Sequence, residues 1–97
     1  MHMDKKKIIK VMKALSNPHR FELFMEINKR NQSNYEEEEC FVFKIMEKLN
    51  IRAPTISHHL RELSNADLII TERKGKFLVA RINEQTLREF SDVIDLK

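Results

Sequence analysis

The chain has 97 residues, of which 41% are hydrophobic and 34% charged, with one Gly, two Pro and a formal charge of +3. This composition excludes a disordered or collagen-like chain and fits one ordered, helix-rich domain over residues 1–97, small enough that a second subunit would help complete its core. The lone Cys40 excludes an internal disulfide and an all-Cys metal cage, and no apolar run approaches the roughly 20 residues of a membrane span, so a soluble cytoplasmic protein with no membrane partner is expected.

Residues 4–15 set Ile8, Val11, Met12 and Leu15 at helical spacing among lysines and predict a short amphipathic first helix. Residues 1–30 hold eight Lys/Arg against three acids, and the lysine run within residues 4–15 is read as a solvated face. Asn17-Pro18 breaks the pattern, because proline disfavours the helical region for the residue before it and suits the first turn of a new helix. A second helix is expected from His19 to about Lys29, with Phe21, Leu23, Phe24, Met25 and Ile27 forming a broad apolar surface at the centre of the core. Asn28 to Tyr35 is polar and read as a loop, followed by the acidic run Glu36–Glu39. Four consecutive carboxylates on a helix point in different directions, so a solvated turn is expected there rather than a cation site.

Cys40 to Leu49 predicts a third helix with Phe41, Val42, Ile45, Met46 and Leu49 inward. Asn50 and Arg52 fall in a turn, and Ala53-Pro54 opens a fourth helix. Asn50 to Ala66 reads as the turn and second helix of a helix-turn-helix. Steps of about 100° per residue gather Ile56, Leu60 and Leu63 on the buried side. Pro54, His58, Arg61 and Asn65 lie opposite, flanked by Thr55, Glu62 and Ser57. Short polar groups of this kind suit a DNA major groove. His59 falls near the edge of the buried side, to pack there or to reach a phosphate. Neighbouring histidines diverge on a helix, and neither has a Cys, Asp or His four residues on, so no metal site is expected from the pair.

Leu68–Arg73 and Phe77–Ile82 are β-rich runs joined through Lys74, the only glycine and Lys76, and predict a hairpin with a basic tip of Arg73, Lys74 and Lys76 suited to DNA phosphates. Asn83 is a plausible N-cap for a last helix running through Leu96, with Leu87, Phe90 and Val93/Ile94 as its apolar stripe. The fold class is therefore mainly α with a small β-hairpin: four helices, the hairpin and a C-terminal helix. No Gly-rich phosphate loop or nucleophile–base arrangement suggests an enzyme, and no cofactor is expected.

Two segments carry a family resemblance. Ala14-Leu-Ser-Asn-Pro-His-Arg-Phe-Glu-Leu-Phe24 is similar to the A-L-x-(D/N)-P-x-R-x-x-I-L pattern of the ArsR/SmtB winged-helix repressors, and Pro54-Thr-Ile-Ser-His-His-Leu-Arg-Glu-Leu63 resembles their P-T-V-S-x-H-L-x-x-L. Ala66-Asp67-Leu68-Ile69 stands where the family has A-G-L-V. The resemblance implies a winged helix-turn-helix and a homodimer joined through its first and last helices. It also implies repression at an inverted-repeat operator in double-stranded DNA. The expected DNA-binding set is Arg52, Thr55, Ser57, His58, His59, Arg61, Arg73, Lys74 and Lys76.

Departures from the family are equally specific. Phe41-Val42-Phe43 replaces the Cys-Val-Cys of many metal sensors with core-type rings, and the last helix has Asp92 and Asp95 but no His. The usual metal site is therefore absent and the effector is unassigned. Cys40 stands beside the motif as a lone thiol. Arg52 takes the place of a common Ser cap and turns a cap into a phosphate contact. Asp67 replaces Gly and implies a turn conformation accessible to Asp. Two other readings remain open: a protein-interaction module using Glu36–Glu39, and a repressor regulated by metal at His2, His19 or the acidic loop.

Overall fold

The structure, a computed structural model, describes residues 3–33 and 41–95. The expectations for His2, Tyr35, the acidic run Glu36–Glu39, Cys40 and Leu96 lie outside these residues. Asp4 starts α1 (Lys5–Leu15) by accepting the Lys7 amide at 2.8 Å, and Ser16 closes it with its amide and hydroxyl donating to Lys13 O. Asn17 then accepts the Arg20 amide at 3.0 Å, so that Asn17-Pro18 ends one helix and caps α2 (Pro18–Ser33).

The buried arc of α1 is Val11 and Ala14, with Ile8 and Leu15 packed at its edges. Met12, expected inward, is 51% exposed. Met12 lies about 100° around the helix from Val11, on the side away from Ala14 and so beyond the arc they bury.

α2 packs against α1, α3, α4 and β2, with Leu23, Phe24 and Ile27 buried. Its other face leaves Phe21 and Met25 exposed, contrary to the broad apolar surface expected. The helix also runs through residues 28–33, where the polar composition suggests a loop. No Gly or Pro interrupts that stretch, and Lys29 and Arg30 are good helix formers. Arg30 Nε donates to Glu26 Oε2 one turn earlier at 2.9 Å, and Asn31 Oδ1 accepts the Ile82 amide at 2.7 Å, which ties this last turn to the sheet. Glu26 is itself buried and receives Lys48 Nζ at 3.0 Å, joining α2 to α3 (Val42–Leu49). Burial alone would raise its pKa, but the hydrogen bonds and charges of Lys48 and Arg30 prevail and lower it.

α3 ends in Asn50 at φ 54°, with Ile51 N donating to Met46 O and Asn50 N to Glu47 O. α4 (Ala53–Asn65) ends the same way: Asp67 is at φ 58°, Leu68 N donates to Leu63 O and Asp67 N to Ser64 O. Both are two-bond Schellman closures built on a left-handed residue other than Gly. Asp67 thus takes the turn conformation expected of it, and it meets Lys7 Nζ at 3.2 Å.

β1 (Ile69–Lys74) and β2 (Phe77–Ile82) pair antiparallel from Ile69↔Ile82 to Lys74↔Phe77. Gly75, at φ 63°, is the first of the two turn residues and the only one with positive φ, the pattern of a type II′ hairpin. Phe41 bridges to Val79 and so brings the start of α3 onto the sheet. Asn83 caps α5 (Glu84–Val93) by accepting the Thr86 amide at 3.4 Å; Leu87 and Phe90 pack inward while Val93 and Ile94 are exposed. The described residues therefore form five helices around a two-stranded hairpin, with α2, α4 and β2 enclosing the core of Leu23, Ile27, Ile45, Leu63 and Leu68.

Candidate nucleic-acid interface

Ile56, Leu60 and Leu63 are buried at intervals of three and four residues, and they pin one side of α4 to the core. The opposite side presents Pro54, Thr55, Ser57, His58, Arg61 and Asn65, all exposed, with Glu62 half-buried. Most of the outward groups are short, so the helix backbone can come close to a flat polar partner. Arg52 stands exposed at the N-cap without a side-chain capping bond, which leaves the positive end of the helix unneutralised from within.

Arg73, Lys74 and Lys76 are exposed around the hairpin turn, and Lys76 Nζ lies 5.5 Å from the Phe77 ring centroid. β1 packs against α4, so the hairpin and the exposed helix belong to one rigid unit. Phe41, Phe43 and Phe77 form a ring cluster with centroids 5.2–5.8 Å apart, Phe77 standing in the pair next to the hairpin turn. Phe43, expected as a core ring, is instead exposed: it meets the Phe41 and Phe77 rings but none of the buried core side chains enclose it.

His59 departs from the DNA-facing set. It is only 7% exposed, and its Nδ1 has no hydrogen-bond partner among the described residues. Burial lowers its pKa first, and the nearby Arg20, His58 and His19 lower it further. Burial and the positive surround both disfavour the protonated ring. Arg20 shares this buried region: its Nη1 donates to Ala14 O at 3.3 Å, while Nε has no partner among the described residues. Sequence reasoning misses the approach of His19 and Arg20 to α4, because it depends on how α2 crosses that helix. Among the described residues, no three His, Cys, Asp or Glu side chains come together as metal ligands. No described helix is long and apolar enough to cross a membrane.

Residues 36–71, from the acidic run through the helix-turn-helix to the start of β1, match the family of bacterial regulatory proteins called the arsR family. Residues 36–71 are thus similar to the arsR family, and the fold is a winged helix-turn-helix. Over 45 residues it is 42% identical to the transcriptional repressor SdpR of Bacillus subtilis (strain 168), a match covering 46% of this chain and half the length of that repressor. The fold is similar to an ArsR-like transcriptional regulator from Rhodococcus sp. RHA1, with a TM-score of 0.75 at 18% identity over 93% of this chain and 77% of the other. It is also similar to the homodimeric winged helix-turn-helix DNA-binding domain Mb0332 of Mycobacterium bovis, with a TM-score of 0.70 at 25% identity over 91% and 75% of the two chains. ArsR-family proteins and these relatives are transcriptional regulators, not enzymes.

Proposed function

We propose that the chain is a DNA-binding transcriptional repressor, acting in the cytoplasm as a homodimer on an inverted-repeat operator and lacking the thiolate metal site that its resemblance would otherwise imply. One observation carries this reading: Thr55, Ser57, His58 and Arg61 stand exposed along a helix whose opposite side, Ile56, Leu60 and Leu63, is buried. The basic hairpin supports it with groups suited to the adjacent phosphates. SdpR is a repressor and the Mycobacterium bovis domain is homodimeric, which supports the mode of action. Phe41 and Phe43, standing where many metal sensors have thiolates, support regulation by something other than that site.

Two α4 helices of such a dimer would enter major grooves about one helical turn apart, roughly 34 Å. The test is an anisotropy titration with DNA from upstream of the chain's own gene, at several salt concentrations. Arg61→Ala should cost about 1–3 kcal/mol of affinity if it reads a base edge. Lys74→Ala with Lys76→Ala should weaken all sequences alike and reduce the salt slope by roughly 0.9 for each lost phosphate contact. Unchanged affinity in both variants, with folding intact, would sink the assignment.

A further inference from the structure

Antiparallel pairing puts directly paired residues on one face of a hairpin and alternates faces along each strand. Ile70, Glu72 and Lys74, paired with Arg81, Val79 and Phe77, therefore share one face, while Ile69, Ala80 and Ile82 turn the other face to the core. Val79 is 6% exposed yet stands apart from the core cluster, and the Phe41 bridge lies against it. The outer face of the hairpin thus has a small apolar centre of its own.

That centre is left uncovered. Phe43 and Phe77, with ring centroids 5.2 Å apart, are 39% and 40% exposed, and Ile70 on the same strand face is 36% exposed. Cations stand around them. Lys44 Nζ lies 6.0 Å from the Phe41 centroid, Lys76 Nζ lies 5.5 Å from that of Phe77, and Arg81 is exposed as the cross-strand partner of Ile70. With Lys74 this makes four cations against two acids, Glu72 on the same face and Glu47 one turn beyond Phe43 on α3. A surface apolar at its centre and basic at its rim is complementary to a segment that carries large apolar side chains among carboxylates. Because Lys76 lies over the Phe77 ring and Phe41 and Phe43 tilt against it, the cluster is not a flat platform for stacking nucleic-acid bases.

We propose that this outer face docks an acidic protein segment with large apolar side chains, the apolar groups meeting Phe43, Phe77 and Ile70 and the carboxylates meeting Lys44, Lys76 and Arg81. Phe41 and Phe43, standing where many metal sensors have thiolates, then serve a protein signal. Lys76 also belongs to the basic tip assigned to DNA phosphates, so a docked segment competes with DNA for the hairpin. Docking itself does not depend on the DNA-binding reading; only the competition does.

A short labelled peptide in which Leu and Phe alternate with Glu, titrated with the full chain and followed by fluorescence anisotropy, tests the face. Saturable binding that weakens with salt is expected. Replacing each Glu of the peptide by Gln, or each Leu and Phe by Ala, should weaken it about tenfold. Phe43→Ser in the chain should weaken it by about the same factor, and Lys44→Ala by less. Neither residue belongs to the DNA-reading set, so both variants should keep the original affinity for promoter duplex, and unchanged circular dichroism verifies the fold. Unlabelled peptide should displace the duplex from the original chain but not, at the same concentration, from Phe43→Ser. Equal binding of the Gln peptide, or equal binding by Phe43→Ser, overturns the docking site, whatever the chain does with DNA. Peptide and duplex held together overturn the competition alone. Phe43-dependent binding to anionic vesicles without binding of the peptide would make the occupant a lipid surface. Peptide binding gained only when Glu36–Glu39 are replaced by Gln would make it the chain's own acidic run, and either result overturns the partner proposed.

Discussion

His59 and His58 are neighbours with the same chemistry and opposite fates. The helical step separates them by about 100°, enough to put His58 in solvent and His59 in the packed zone between α2 and α4. Because its pKa lies below the ordinary 6.5, the unfolded chain binds the proton more tightly than the folded one. Stability must therefore be complete above about pH 6.5 and fall as pH drops from there to the lowered folded value, with no further loss from this group beneath it. Urea midpoints measured between pH 8 and about pH 5 should show this decline, and His59→Phe should flatten it. An unchanged slope in the variant would mean that other groups govern acid sensitivity.

At the scale of elements, helix ends decide the path of the chain. α3 and α4 both stop on left-handed residues that carry side chains, Asn50 and Asp67. Such residues tolerate the conformation better than others, but less well than Gly. Asp67→Gly is expected to be neutral to stabilising by up to about 1 kcal/mol, since the lost contact to Lys7 is solvent-exposed and worth little. Asp67→Ala should cost about 1 kcal/mol or more, for the strain without compensation. Chemical denaturation of the two variants side by side checks the pair; equal stabilities would show that the backbone conformation does not govern this exit. The Asp67 turn was legible because a Gly-type position within a motif was filled by Asp. The extension of α2 through residue 33 was not, because a polar run without breakers looks alike in a loop and in an exposed helix. What holds it helical includes the bond from the Ile82 amide to Asn31, across a gap of 51 residues.

Of the large apolar side chains that remain outside, four lie on two elements: Ile9 and Met12 on α1, and Val93 and Ile94 at the end of α5. They belong to the first and last helices, where the proposed homodimer would be joined. Met12→Glu combined with Ile94→Glu should give a monomer by sedimentation, with helical content preserved and operator affinity strongly reduced. A dimer that survives both charges would move the contact elsewhere. Local chemistry alone determined the order of helices and hairpin, the buried side of α4 and the helix boundaries at Asn17-Pro18 and Asn83, because apolar periodicity and capping act within a few residues. Tertiary structure decided that Met12 faces out, that His59 faces in and that His19 meets Thr55 across a cavity. Each of these depends on which surfaces of α1, α2 and α4 press together, and packing of that kind is set by neighbours distant in the chain.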